Sequence, residues 1–125
     1  MKKVALLILL AIFTPALCLA DDAKDNVIIE KLTIYKDQQM VIINMMLEYV
    51  KQNRNLLVDW ERSLKNRRDK TDYKGKMDEN EAKLKDLDFK KNDLKLKIIE
   101  VNGKVPDWWD ENEGYYKRMR LYYMK

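Results

Sequence analysis

Six aromatic rings crowd the last eighteen residues: Trp108, Trp109, Tyr115, Tyr116, Tyr122 and Tyr123, half of the aromatics in the chain. Arg118 and Arg120 lie among them. Tyr, Trp and Arg couple a wide contact area to a polar handle, which is why they dominate binding hot spots. The chemistry this points to is recognition of another protein surface. The candidate partner-binding residues are Trp108, Trp109, Tyr115, Tyr116, Arg118, Tyr122 and Tyr123. The same rings would equally close the open face of a helical hairpin and become its core, so both readings stand.

A second group is basic. Between residues 62 and 76, Arg62, Lys65, Arg67, Arg68, Lys70, Lys74 and Lys76 face only Asp69 and Asp72. Such an excess can meet anionic headgroups, acidic glycan or an acidic protein patch, or simply stay solvated. Arg67, Arg68, Lys70, Lys74 and Lys76 form the expected basic tip. Aromatic and basic residues do not alternate here, so single-strand nucleic-acid binding has no footprint.

The acids Asp107, Asp110, Glu111 and Glu113 have the oxygen chemistry of a calcium site but not its spacing. Asp110-x-Asn112-x-Gly114 lacks the fifth-position ligand and puts glycine one residue early. Helix-dipole compensation explains these acids better. The chain has no His, and its single Cys is Cys18. Imidazole bases, Ser-His and Cys-His pairs and His metal ligands are therefore excluded. Three glycines cannot build a phosphate-cradling loop. No enzyme, metal or cofactor is expected.

The elements that must carry these groups read as helices. From Asp25 to about Lys70 there is neither Gly nor Pro. Ile28, Leu32, Tyr35, Ile42, Met46, Tyr49, Leu56 and Trp60 follow a 4,3 spacing, with Gln39 and Asn53 in the two empty slots. Ile43, Leu47, Val50, Leu57 and Leu64 run beside them. The stripe is wide enough for two neighbours. Gln39 and Asn53 either fix register or mark where the seam frays to solvent. A turn over 71–76 follows. A second helix over 77–102 carries Met77, Leu84, Leu87, Leu94, Ile98 and Val101, with Asn80 and Lys91 interrupting. Phe89, Leu96 and Ile99 lie off this seam and are expected to face a third element. Asn102-Gly103 reads as a helix end and Pro106 as the start of a third helix over 106–125. The expected fold is all-α: a long antiparallel, coiled-coil-like hairpin with a short aromatic-rich C-terminal helix.

The first twenty residues have a different character. Lys2 and Lys3 precede an apolar run from Val4 to Phe13, and Cys18 and Ala20 are small residues at −3 and −1 of a cut before Asp21. This is the layout of a bacterial-type signal peptide. The run is shorter than the roughly 20 residues a spanning helix needs. Removing residues 1–20 takes two lysines and no acid, so the net charge of +4 falls to +2, and no nucleic-acid partner is expected. Acylation of Cys18, or retention of Val4–Ala20 as an anchor, are the alternatives.

The expected product is one helical domain, residues 21–125, periplasmic or secreted after cleavage near Ala20. Its expected role is non-catalytic binding of an envelope protein through the aromatic C-terminal helix, with a homodimer possible. Two other roles remain open. One is a membrane-anchored spacer or bridge, with membrane contact only if the first segment is retained. The other is a small inhibitor of an extracytoplasmic enzyme.

Overall fold

The computed structural model describes residues 17–66 and 68–125, with side-chain surroundings from Lys24 onward. Most of the expected leader, and Arg67 of the expected basic tip, lie outside the described residues. Three helices make up the described chain: α1 (Leu17–Ser63), α2 (Tyr73–Asn102) and α3 (Asp107–Met124). There is no strand among the described residues, including Leu94–Ile98, where the sequence also alternates. No helix among them is long and apolar enough to cross a membrane.

The helix ends follow local chemistry. α1 stops at Ser63, before the expected Lys70, because side chains ahead capture the backbone. Arg68 N donates to Asn66 Oδ1 at 3.1 Å, and Thr71 N donates to Asp69 Oδ1 at 2.9 Å. Asx turns of this kind compete with helix propagation. α2 begins at Tyr73, earlier than expected, because Asp72 caps it: Gly75 N donates to Asp72 Oδ1 at 2.9 Å. α2 ends on Gly103, whose φ of 80° is left-handed and whose N–H returns to Ile99 O. Pro106 is extended and stands just ahead of α3, with Asp107 and Asp110 in the first turn.

The three helices alternate in direction. Asn53 of α1 meets Asn80 and Glu81 of α2, while Leu32 and Tyr35 pack near Leu94 and Ile98, so these helices are antiparallel. Gln39 meets Trp109 and Asn112, and Arg54 reaches the carbonyl of Lys125, so α3 runs parallel to α1. α1 is the shared wall: both other helices approach it, whereas the α2 and α3 backbones stay more than 8 Å apart at Cα. This is the two-neighbour packing the wide stripe requires.

The core forms two clusters. Ile43, Met46, Leu47 and Val50 of α1 pack with Leu84 and Leu87 of α2 and Tyr116 of α3. Nearer the other end, Leu94, Ile98 and Trp109 pack with Leu32, Tyr35, Ile42, Val105 and Trp108. The α2 seam is buried without a gap from Asn80 to Ile98, its polar members included. Leu32 is the most N-terminal α1 residue in either cluster, and α1 continues ahead of it as helix to Leu17. At 1.5 Å per residue, α1 is about 70 Å long and α2 about 45 Å.

Candidate partner-binding site

Three polar clamps tie the helices together, two of them on α3, and each is built on a residue that interrupts an apolar seam. Gln39, fully buried, donates from Nε2 to Trp109 O at 3.1 Å and accepts from Asn112 Nδ2 at 2.9 Å. This joins α1 to α3. Asn80 Nδ2 donates to Asn53 Oδ1 at 2.9 Å, and Asn53 Nδ2 donates to Glu81 Oε1 at 3.2 Å, joining α1 to α2. Buried Lys91 donates to Glu113 Oε2 at 3.0 Å and sits 4.7 Å from the Tyr116 ring centroid, joining α2 to α3. The seam does not fray at these residues. Among the described residues, no buried side-chain N or O atom lacks a hydrogen-bond partner, which is the condition for polar groups to be tolerated in a core.

With α3 fixed, its aromatics divide. Trp109 and Tyr116 are only 2% and 6% exposed. Both rings lie in the core clusters, which is the core reading of the two left open by the sequence. Burial pushes the Tyr116 phenol up from its ordinary value, against the lowering effect of Arg120. Trp108, Tyr115 and Tyr123 are half-buried and pack against the clusters. Lys36 sits over Trp108 at 5.9 Å and Lys51 over Tyr123 at 5.2 Å, shielding their outer faces. Arg118 and Tyr122 are exposed, and Tyr122 stands edge-on to Tyr123 at 5.6 Å.

Leu121, absent from the sequence-based set, is 66% exposed, about the same as Tyr122 at 65%. Arg118, Leu121, Tyr122 and Lys125 fall within an arc of roughly 100° on a 3.6-residue helix. The signal was available in that spacing. Leu121 carries no ring, so aromatic content alone does not mark it. The outer face of α3 is thus a small apolar strip flanked by cations.

The other candidates disperse or stay exposed. Asp107, Asp110 and Glu111 point to solvent, while Glu113 is engaged by Lys91. No group of three or more metal-ligating side chains occurs among the described residues. Arg68, Lys70, Lys74 and Lys76 are exposed at the hairpin tip. Phe89, Leu96 and Ile99, expected to face a third element, are all exposed rather than packed against one. Phe89 instead borders a shallow recess of about 450 Å³ between α1 and α2, with Val41, Ile42 and Leu94 and no α3 residue in its wall.

No protein-family model matches this chain, and no curated protein or solved structure matches it.

Proposed function

We propose that this chain is an exported, non-catalytic helical protein that binds another protein of the cell envelope through the outer face of α3. One observation carries the reading. α3 is locked to both neighbours by buried clamps, yet it turns Leu121 and Tyr122 two-thirds outward beside exposed Arg118. A rigid apolar strip with cationic edges loses little entropy on docking and suits a partner with an apolar patch and an acidic rim. The coiled-coil-like 4,3 seams of the hairpin belong to this reading as the frame that keeps α3 rigid. The lack of His leaves no imidazole base or Ser-His or Cys-His pair, which is the sequence feature behind the non-catalytic reading.

The test is site-specific photo-cross-linking in a bacterial host, with the probe at Tyr122 and, as control, at exposed Glu111. A discrete adduct from position 122, absent from 111 and lost in Leu121→Ser, supports the reading. Equal adducts from both positions, or none, would sink it. Intact mass of the fractionated product tests export in the same cells: a soluble species beginning at Asp21 is expected.

A second reading, the anchored spacer, draws on α1 itself. The helix is unbroken from Leu17 to Ser63 and passes through the expected cut after Ala20. A membrane-bound product still carrying Met1 would favour that reading instead.

A further inference from the structure

The far end of the hairpin has a composition that the α3 site does not use. Arg54 bonds the Lys125 carbonyl next to the end of α3, so the rest of α1 and the start of α2 lie beyond that helix. At their tip, Leu64 is 76% exposed, more than any other large apolar side chain among the described residues. It closes the last turn of α1 by donating its N–H to Trp60 O, which places partly exposed Trp60 one turn behind it. Around them stand Arg62, Lys65, Arg68, Lys70, Lys74 and Lys76, all exposed. None of these six takes part in a salt bridge among the described residues.

The two acids of the tip are turned to structural work. Asp69 accepts from Thr71 N and from the Tyr73 hydroxyl, and Asp72 accepts from Gly75 N. The next acids, Asp59, Glu61, Asp78 and Glu79, lie on the helices behind the tip. The end of the molecule is therefore a cationic cap with an apolar point, backed by an acidic collar.

We propose that this tip binds end-on to a bilayer carrying anionic lipid. Leu64 enters the boundary between headgroups and acyl chains, and Trp60, about 6 Å behind it, lies at the interfacial level that Trp favours. The basic side chains hold lipid phosphates, while Asp59 and Glu61, level with Trp60 but about 100° away from it on either side of α1, limit how deep the tip sinks. An acidic protein patch would account for the cations but would leave Leu64 without a role. This proposal does not rest on the α3 reading, and either can fail alone.

The test uses the full chain with vesicles of phosphatidylcholine, with or without phosphatidylglycerol, and a brominated phosphatidylcholine as quencher of Trp fluorescence. Trp60 is about 65 Å along α1 from Leu17, so its quenching reports the tip rather than an inserted N-terminus. Trp60→Phe gives the background from Trp108 and Trp109. The expected result is Trp60-dependent quenching only when phosphatidylglycerol is present, weakened by salt. Lys70→Glu with Lys74→Glu lowers vesicle partitioning by about tenfold or more, and Leu64→Ser abolishes the quenching. Helicity measured on the same samples confirms that each variant is folded. Quenching that is absent, or equal in the charge-reversed or Leu64→Ser chain, overturns the proposal.

Discussion

Asn112 Nδ2 donates to Gln39 Oε1 at 2.9 Å, joining α3 to α1 across 73 positions of sequence. Gln39 is completely shielded from solvent, and its own amide is used on the Trp109 carbonyl. One side chain thus reads both the height and the rotation of α3, because a one-residue shift would put Asn112 on another face. Such a residue fixes register at some cost in stability.

Gln39→Ala removes both bonds and leaves a cavity, so it is expected to cost about 2–3 kcal/mol. Asn112→Ala is expected to cost about 1 kcal/mol, since water can reach this half-buried position. The double variant should cost less than the sum of the two. Urea unfolding followed by Trp fluorescence measures all three, and strict additivity would show that the pair does not act as a unit.

Lys91 and Glu113 make the opposite kind of clamp, a charged one. Lys91 is buried while Glu113 is partly exposed. Glu113→Gln leaves the ammonium with Asp88 at 3.8 Å and the Tyr116 ring. The expected loss is about 2 kcal/mol, below the ~3–5 kcal/mol of a fully buried broken pair. Replacing both partners, Lys91→Met with Glu113→Leu, should restore most of that loss. Thermal melts of the single and double variants decide this.

Gly75 carries a conditional prediction. Ala in place of Gly within a helix gains about 1 kcal/mol. Here a Cβ would press into the Asp72 carboxylate and displace the α2 cap, and loss of a cap costs about 1 kcal/mol. Gly75→Ala should therefore be nearly neutral in the native chain. It should stabilise by about 1 kcal/mol once Asp72→Ala has already removed the cap. The change between backgrounds, read from urea midpoints, isolates the clash.

Alkaline pH should loosen α3. Burial raises the Tyr116 phenol above its ordinary 10.0, with Asp88 and Glu113 reinforcing the shift and Arg120 opposing it. A raised folded value means the contribution is whole below pH 10.0 and is lost as pH rises through the raised value. Tyr73 is raised too, through its bond to Asp69. The comparison of wild type with Tyr116→Phe separates the two, since only the Tyr116 part disappears. Unfolding midpoints between pH 8 and 11 should fall less steeply in Tyr116→Phe. Parallel curves would place the phenolate in solvent.

The sequence by itself determined that this chain is helical and about where its helices stop. Those are local matters. The 4,3 spacing from Ile28 to Trp60 and from Met77 to Val101 defines apolar stripes, and Gly103 and Pro106 punctuate the chain whatever lies elsewhere. Even the misplaced boundary at Ser63 has a local cause, in the side chains of Asn66 and Asp69.

Only the tertiary structure decided which side of each stripe is covered. Trp109 and Tyr122 have the same claim to a core or a surface while α3 is considered alone. Trp109 is inside because Gln39 and the Leu94–Ile98 cluster meet it, and Tyr122 is outside because it stands against Tyr123 of its own helix rather than entering either cluster. Phe89 looks inward by composition, but it lies on the side of α2 away from α3. The four polar seam residues, Gln39, Asn53, Asn80 and Lys91, are blemishes in a one-dimensional pattern until their partners arrive from distant positions. Periodicity is written in neighbouring residues. The choice of buried face depends on contacts between residues tens of positions apart, and a single helix does not encode them.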